Sequence, residues 1–155
     1  MPFEKELKVF LGSDHAGFET KEKIKNHLQK LKVNYEDLGP SKYAPGDDYP
    51  DYAFKVAQKV SQNKDYRGIL ICGTGLGMQI AANKVKGIRA ASPYDAYSAK
   101  MSRAHNNTNI LGLRGRSFPF SKIKQIITIW LKTPFSEEER HKHRIAKISN
   151  YENKK

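Results

Sequence analysis

The sequence predicts a single-domain α/β protein in which an open, parallel, five-stranded sheet is covered by helices on both faces. Short apolar strand patterns and longer amphipathic helix patterns alternate along the whole chain. Such alternation is typical of parallel strands joined by right-handed crossovers, and it makes the predicted fold Rossmann-like. At 155 residues the chain has about the length of one domain and can bury a core without disulfide staples.

The predicted elements follow one another in strict order. The strands are short apolar runs at residues 7–12, 33–38, 68–72, 88–91 and 109–113. The helices that follow them cover residues 19–32, 51–62, 76–84, 95–104, 121–132 and about 136–149. The turn-rich connection at residues 40–50 is too short for a domain linker. We therefore expect one domain over residues 1–149, followed by a polar, frayed tail at residues 150–155.

Composition narrows the class of protein. A single cysteine excludes an intrachain disulfide and suits a reducing compartment. No apolar stretch approaches the roughly 20 residues that span a bilayer. Residues 1–6 lack the basic lead and apolar core of a signal peptide. We therefore expect a cytoplasmic protein with no membrane partner.

The strong positive charge needs an explanation of its own. The formal net charge is +12 and the isoelectric point is near 9.7, which can indicate nucleic-acid binding. The basic residues are nevertheless scattered, as over residues 21–32, and form no arm or aromatic-interleaved block. We interpret them as a solvated surface that also attracts a small phosphorylated substrate, and we expect no nucleic-acid partner.

The most informative segment is a glycine-rich turn after the third predicted strand. That strand ends at Cys72, and glycines follow at positions 73, 75 and 77. Alternate glycines let successive backbone N–H groups converge on one anionic oxygen, and the following helix adds its positive end. A plain strand-to-helix turn is the alternative interpretation.

Two nucleotide motifs do not match this turn. The glycine spacing differs from the G-x-G-x-x-G of dinucleotide sites, and the next strand ends at Ala91-Ser92 without an acidic residue for a ribose. Met78-Gln79 stands where a nucleotide P-loop carries Lys-Ser/Thr. We therefore expect no nicotinamide cofactor.

The carboxyl ends of the predicted strands are the expected ligand site, as in other open parallel sheets. Three loops lie there, at residues 13–17, 72–77 and 114–116. Cys72 can serve there as a proton acceptor, although a lone strand cysteine is often only a small buried hydrophobe. Thr74 can hydrogen-bond the sulfur or a substrate.

Three further candidates are titratable or acidic side chains near strand ends. Asp14 and His15 follow the first strand and can reach the same crevice, although an aspartate there is often only a helix N-cap. His105 lies between a helix and a strand beside three asparagines, whose amides can hold sugar hydroxyls or simply cap the turn.

The last predicted helix carries a charged run. Arg140 and Arg144 are four residues apart, so they share a face and could clamp one phosphate, with an exposed charged surface as the alternative. His141 and His143 are two apart and point to different faces. We therefore predict no metal site.

Five motifs occur in order along the chain: Asp14-His15-Ala16-Gly17-Phe18, Asp48-Tyr49-Pro50-Asp51-Tyr52-Ala53, Ile71-Cys72-Gly73-Thr74-Gly75-Leu76-Gly77, Ala81-Ala82-Asn83-Lys84 and His105-Asn106-Asn107-Thr108-Asn109. Together they resemble the ribose-5-phosphate isomerase B family, which also includes allose-6-phosphate and galactose-6-phosphate isomerases. The resemblance covers about residues 7 to 148. It implies interconversion of ribose 5-phosphate and ribulose 5-phosphate, in the non-oxidative pentose phosphate pathway, through a cis-enediolate without metal or cofactor.

The resemblance also implies roles for residues. Cys72 is the base, with Thr74 beside it, while His105 opens the furanose ring and Asp14 takes the hydroxyl proton. The anion hole is formed by the backbone of Gly73, Gly75, Leu76 and Gly77. Sugar hydroxyls contact Tyr49 and Asn106, and the phosphate is held by His15, Arg116, Arg140 and Arg144.

Two further expectations follow from the resemblance. Met78 stands where another branch of the family has a glutamate base, so this chain resembles the cysteine-type branch. The family is typically a homodimer in which His105 and the C-terminal arginines come from the partner subunit. The apolar residues 126–131 could serve an interface or an ordinary core helix. An isomerase of six-carbon sugar phosphates and a non-enzymatic phosphometabolite- or nucleic-acid-binding module stay open as alternatives.

Overall fold

The computed structural model describes residue 3 and residues 6–154. Its strands are β1 (Lys8–Ser13), β2 (Asn34–Asp37), β3 (Tyr66–Cys72), β4 (Ala90–Ala91) and β5 (Ile110–Arg114). Its helices are α1 (Phe18–Lys30), α2 (Tyr49–Val60), α3 (Leu76–Ala82), α4 (Ala96–Ala104), α5 (Phe120–Lys132) and α6 (Glu139–Glu152). The signal-peptide expectation concerns residues 1–6, of which residues 1, 2, 4 and 5 lie outside the described residues. Residue 155, the last residue of the predicted tail, also lies outside them.

The sheet has the strand order β2-β1-β3-β5-β4, and every pair is parallel. The predicted Rossmann-like α/β fold is thereby confirmed. From β1 the chain goes to β2 on one side and then returns to β3 on the other, so the strand order reverses between β1 and β3. In such a sheet, a crevice opens at this point beyond the carboxyl ends of the strands.

The two faces of the sheet carry separate apolar cores. On one face, α1, α4 and α5 pack against the central strands and bury Leu28 and Trp130 completely. On the other face, α2 and α3 pack around Val56 and Met78, which are also fully buried. This arrangement confirms the predicted helices on both faces. It also makes the apolar residues 126–131 part of a core helix, the second of the two interpretations left open above.

A buried ion pair fixes α1 to the end of β2. Lys21 is fully buried, and its Nζ donates to both carboxylate oxygens of Asp37, at 2.7 and 2.8 Å, and to the carbonyl of Pro40 at 2.7 Å. Burial alone would raise the pKa of Asp37, but hydrogen bonds from Lys21, the Gly39 N–H and Lys25 outweigh it and hold that pKa below its usual value. The pair therefore anchors the start of the connection between β2 and α2.

The last helix is shifted relative to the prediction. It begins at Glu139 and not near residue 136, because the chain before it is irregular and Glu137 has a positive φ of 59°. It ends at Glu152, so the first half of the predicted tail at residues 150–155 is helical. Glu152 Oε2 also accepts a hydrogen bond from the Gly87 N–H at 2.9 Å, which ties the end of α6 to the loop before β4.

Candidate active site

Backbone hydrogen bonds bring the three predicted loops together at the carboxyl edge of the sheet. The Asp14 N–H donates to the carbonyl of Ile71 at 3.2 Å, and the Gly115 N–H donates to the carbonyl of Cys72 at 2.7 Å. These bonds continue the β1–β3 and β3–β5 pairing beyond the strands. The loops after β1, β3 and β5 therefore line one crevice, as the sequence predicted.

Two glycines allow this close approach. A Cβ atom on Gly17 would collide with the carbonyl of Ile71. A Cβ atom on Gly115 would lie 2.8 Å from the carbonyl oxygen of Ala16 and 3.2 Å from that of Cys72. Because real side chains do not tolerate such distances to backbone, only glycine fits where these loops touch.

The glycine-rich turn wraps around the cysteine sulfur. Gly75 has a φ of +79°, in the left-handed region that favours glycine, and its N–H donates to Cys72 Sγ at 3.1 Å. Cys72 is 5% exposed, and its thiol forms no disulfide. The Thr74 hydroxyl oxygen accepts from the Leu76 N–H at 3.3 Å instead of bonding the sulfur. The sulfur is therefore held at the strand end by a backbone donor.

The side chains of Tyr49 and Arg116 lie against this turn. A Cβ atom on Gly77 would lie 2.7 Å from Tyr49 Cζ, so the phenol ring lies directly against that glycine. A Cβ atom on Gly73 would lie 3.5 Å from Arg116 Nη1, so the guanidinium lies beside the start of the turn. The turn therefore has a phenol ring against Gly77 and a guanidinium group beside Gly73.

Asp14 and His15 lie in the short helical turn after β1. Asp14 is buried, and its Oδ1 accepts from the Gly17 N–H at 3.0 Å, so it does cap this turn. The His15 Nδ1 lies 2.8 Å from Oδ1 of Asp47, a residue in the connection between β2 and α2. Residue 47 belongs to the turn-rich connection at residues 40–50, and nothing in the local sequence pattern links it to His15.

A second group of predicted residues lies where α4 ends and α6 begins. His105 is the C-cap of α4, and its ring stacks on that of His141 with centroids 4.2 Å apart and planes 14° apart. Arg140 Nε donates to Glu138 Oε2 at 2.8 Å, and its side chain is largely exposed. Arg144 lies one turn further along α6 and is also exposed. This end of the molecule therefore presents an imidazole and two guanidinium groups.

Arginine and tryptophan side chains hold the loop that follows His105 and carries Asn106. Arg89 donates through Nε and Nη2 to the carbonyl of Asn107, at 3.1 and 2.9 Å, and Arg103 Nη1 donates to Asn107 Oδ1 at 2.8 Å. Trp130 Nε1 donates to Thr108 Oγ1 at 2.9 Å. None of these supports was predicted, since each joins elements that are distant in sequence.

The two groups lie at opposite edges of the sheet. Cys72 ends β3 and pairs with Arg114 at the carboxyl edge of β5, whereas Asn109, which precedes β5, accepts from the Gly68 N–H at the amino edge. His105 lies at that amino edge, because α4 runs back along the sheet before β5 begins. The strand alone spans about 13 Å between the edges. One chain therefore does not bring His105 to Cys72.

Two kinds of feature are not found over residues 3 and 6–154. No group of three or more His, Cys, Asp or Glu side chains in this part is placed to hold a metal ion. No helix in this part combines the length and the apolar character needed to cross a membrane.

Comparison with known proteins places this geometry in a family. The model of the Ribose/Galactose Isomerase family matches residues 9–148. The protein named probable ribose-5-phosphate isomerase B in Mycoplasma genitalium is 46% identical over 145 residues, which cover 93% of this chain and 95% of that protein.

Solved structures agree with the sequence comparison. Ribose-5-phosphate isomerase B from Mycoplasma genitalium, solved with bound ribulose-5-phosphate, superposes with a TM-score of 0.92 and 44% identity, covering 96% of this chain and 98% of that one. Ribose-5-phosphate isomerase B from Clostridium thermocellum gives a TM-score of 0.90 and 44% identity, covering 96% and 99% of the two chains. Because these relatives belong to an enzyme family, the alternative that this chain is a non-enzymatic binding module is excluded. This chain is therefore an isomerase enzyme and belongs to the Ribose/Galactose Isomerase family.

Proposed function

We propose that this enzyme interconverts ribose 5-phosphate and ribulose 5-phosphate with Cys72 as the base. The observation that carries the proposal is the position of Cys72 Sγ at the carboxyl edge, bonded to the Gly75 N–H inside a turn of further N–H groups. A relative with 44% identity is described with bound ribulose-5-phosphate. The reaction belongs to the non-oxidative branch of the pentose phosphate pathway, and we propose the cytoplasm as its location.

The proton transfer needs one base and one anion hole. In the open-chain aldose, the Cys72 thiolate removes the proton from C2 and returns it to C1 through a cis-enediolate. The hydroxyl proton moves from O2 to O1, so that the C2 oxygen becomes the ketone and the C1 oxygen becomes a hydroxyl. The Gly75 N–H donates to the sulfur and helps to stabilise its negative charge. Backbone N–H groups of residues 73–77 would hold the enediolate oxygens, and such preorganised donors contribute about 3 kcal/mol each to lowering a barrier. Thr74 lies beside the base, and its hydroxyl is available to hydrogen-bond the substrate.

Ring opening must come before this transfer, because ribose 5-phosphate is mostly a furanose. We propose that His105 protonates the ring oxygen and that Asp14 accepts the proton of the C1 hydroxyl. Asp14 has one carboxylate oxygen occupied by the Gly17 N–H, which leaves the other for the substrate. Tyr49, against Gly77, and Asn106, beside His105, would contact the sugar hydroxyls.

The separation of His105 from Cys72 supports a homodimer in which each site uses both copies. Cys72, Asp14 and Arg116 would come from one copy, and His105 and Asn106 from the other. An exposed apolar surface lies next to the turn: Leu76 and Ile80 of α3, four residues apart on one helix face, are 55% and 62% exposed. Burial of this surface by a second copy would bring a second chain to the crevice.

The phosphate would be held by basic side chains of both copies. His15 and Arg116 lie at the crevice, and Arg140 and Arg144 of the second copy share one face of α6. The net charge of +12 would draw an anionic substrate toward this site. The family description names galactose as well as ribose, so isomerisation of a six-carbon sugar phosphate, galactose 6-phosphate or allose 6-phosphate, is the second candidate activity.

Turnover of ribose 5-phosphate by the wild type and by Cys72→Ala tests the proposal. We expect the wild type to form ribulose 5-phosphate and the variant to lose turnover while still binding ribose 5-phosphate by calorimetry. Near-normal turnover by Cys72→Ala would overturn the base. Turnover of allose 6-phosphate or galactose 6-phosphate alone would keep the chemistry and change the substrate.

A further inference from the structure

His141 lies directly under the ring of His105. The two imidazoles stack at 4.2 Å and are within 14° of parallel. In the first turn of α6, the backbone N–H of His141 donates to the carbonyl of Glu138 at 2.9 Å. The Ser136 N–H donates to the carbonyl of Ala104 at 3.0 Å, so the segment before α6 is bonded to the end of α4. The stack is therefore part of a fixed contact between two helices.

His141 itself cannot reach a substrate in this arrangement. Its side chain is 6% exposed, and its Nε2 is buried with no hydrogen-bond partner in the described part of the chain. Glu138 Oε2 is 4.0 Å from that nitrogen. By contrast, His143, two residues further along α6, is exposed. Any effect of His141 on the reaction must therefore act through the ring that covers it.

The surroundings of His141 favour its neutral form. Burial, the His105 ring and the guanidinium groups of Arg140 and Arg144 lower its pKa, and the Glu138 carboxylate only partly opposes them. A neutral ring can stack under an imidazolium, whereas two stacked imidazolium rings would repel each other. A neutral His141 therefore adds no like-charge repulsion to the stack.

We infer that His141 is a positioning residue for His105, a buried aromatic platform that fixes the plane of its imidazole. The inference rests on the proposed function, in which His105 opens the furanose ring. Fixing the ring plane fixes the direction of both ring nitrogens. A small error in the position of an acid can cost a large part of its catalytic effect.

Two reactions of the same enzyme separate this role from a general structural one. Isomerisation of ribose 5-phosphate needs ring opening and proton transfer. Exchange of the C1 hydrogen of ribulose 5-phosphate with deuterated water needs only proton transfer, because the phosphate on its C5 oxygen prevents a furanose. The phosphate clamp and Cys72 take part in both reactions, whereas His105 acts only in the first.

The experiment compares His141→Ala, His141→Phe and the exposed control His143→Ala. We expect His141→Ala to lower kcat for ribose 5-phosphate about 10- to 100-fold and to leave the deuterium exchange unchanged. His141→Phe keeps a flat uncharged ring, so it should restore most of kcat. His143→Ala should match the wild type in both reactions. Unchanged exchange also shows that the variant is folded and binds substrate.

Three results with the variants would overturn the inference alone. Equal loss of isomerisation and exchange in His141→Ala would make His141 a structural or clamp residue. Unchanged isomerisation in His141→Ala would show that His105 needs no platform, and failure of His141→Phe to exceed His141→Ala would exclude the stacking ring as the cause. An inactive wild type would overturn the proposed function and this inference together, which is a different outcome from an active wild type with an unaffected variant.

Discussion

One carboxylate oxygen, Oδ1 of Asp47, makes two hydrogen bonds with His15: it accepts from the backbone N–H at 3.0 Å and lies 2.8 Å from Nδ1. Asp47 is largely buried although its connection is mostly exposed, and its other carboxylate oxygen has no partner in the described residues. Because Nδ1 is engaged by Asp47, Nε2 is the ring nitrogen of His15 that is left for a ligand. The connection between β2 and α2 therefore sets the orientation of a proposed phosphate contact.

Asp47→Ala should weaken substrate binding and leave the chemical step intact. Loss of about one charge-assisted hydrogen bond, roughly 1.5 kcal/mol, corresponds to about a tenfold rise in KM for ribose 5-phosphate. We expect kcat to stay near the wild-type value, since His15 touches neither C1 nor C2 in the proposed mechanism. Steady-state kinetics with the exposed neighbour Asp48→Ala as control would check this. An unchanged KM would remove Asp47 from the support of the clamp.

Removing Lys21 should destabilise the protein far more than removing another lysine of the same helix. Lys21→Met leaves the Asp37 carboxylate without its buried partner, which costs about 3 kcal/mol in the free energy of unfolding. Lys23 pairs with Glu19 on the exposed face of α1, and Lys23→Met should cost about 0.4 kcal/mol. Urea unfolding of both variants gives the comparison. Equal losses would mean that the buried pair contributes no more than an exposed one.

The Lys21–Asp37 pair also predicts how the free energy of unfolding changes with pH. The pKa of Asp37 is lowered in the folded state, so its contribution to stability is present above the ordinary value of 3.8 and is lost as pH falls through the folded pKa. The stability difference between wild type and Lys21→Met should therefore be largest near neutral pH and should shrink in acid below 3.8. Unfolding free energies measured across this range would show it. A difference that grows in acid would contradict the assignment.

Gly75 and Gly87 have similar φ angles but different space around them. Alanine at these two positions therefore distinguishes backbone strain from steric crowding. Gly75 has a φ of +79° and Gly87 a φ of +83°, but a Cβ atom on Gly75 would lie 2.9 Å from the Leu113 backbone, whereas one on Gly87 meets nothing within 4 Å. Gly87→Ala should cost about 1 kcal/mol in unfolding free energy and keep full activity. Gly75→Ala should cost more than Gly87→Ala and lose most turnover, because the donor to Cys72 Sγ moves. Equal stability and activity in the two variants would contradict this.

Mixing two inactive variants should restore turnover if each site uses two copies. In a dimer of one Cys72→Ala chain and one His105→Ala chain, one site carries both changes and the other carries neither. Random exchange of subunits should then restore about a quarter of wild-type activity. Turnover is measured after the two proteins are mixed and refolded together. No recovery would mean that Cys72 and His105 act from the same chain.

The sequence predicts the loops that line the crevice, but it does not predict the side-chain contacts that orient the site residues. The loops after β1, β3 and β5 follow from parallel connectivity alone, because carboxyl ends of parallel strands share an edge. The bond from Asp47 to His15 and the stack of His141 on His105 depend on how distant segments pack, which no local pattern encodes. Helix α6 begins at Glu139, later than the charged run predicts, because the positive φ of Glu137 has no signature in the sequence.

Trp130 gives the molecule an optical probe of its own. It is the only tryptophan of the sequence, it is fully buried in the structure, and its indole N–H is bonded to Thr108, three residues after His105. Indole emission responds to the polarity and hydrogen bonding around the ring. Loosening of the loop after His105 would therefore change the intrinsic fluorescence of the protein, and its motion could be followed without an added label.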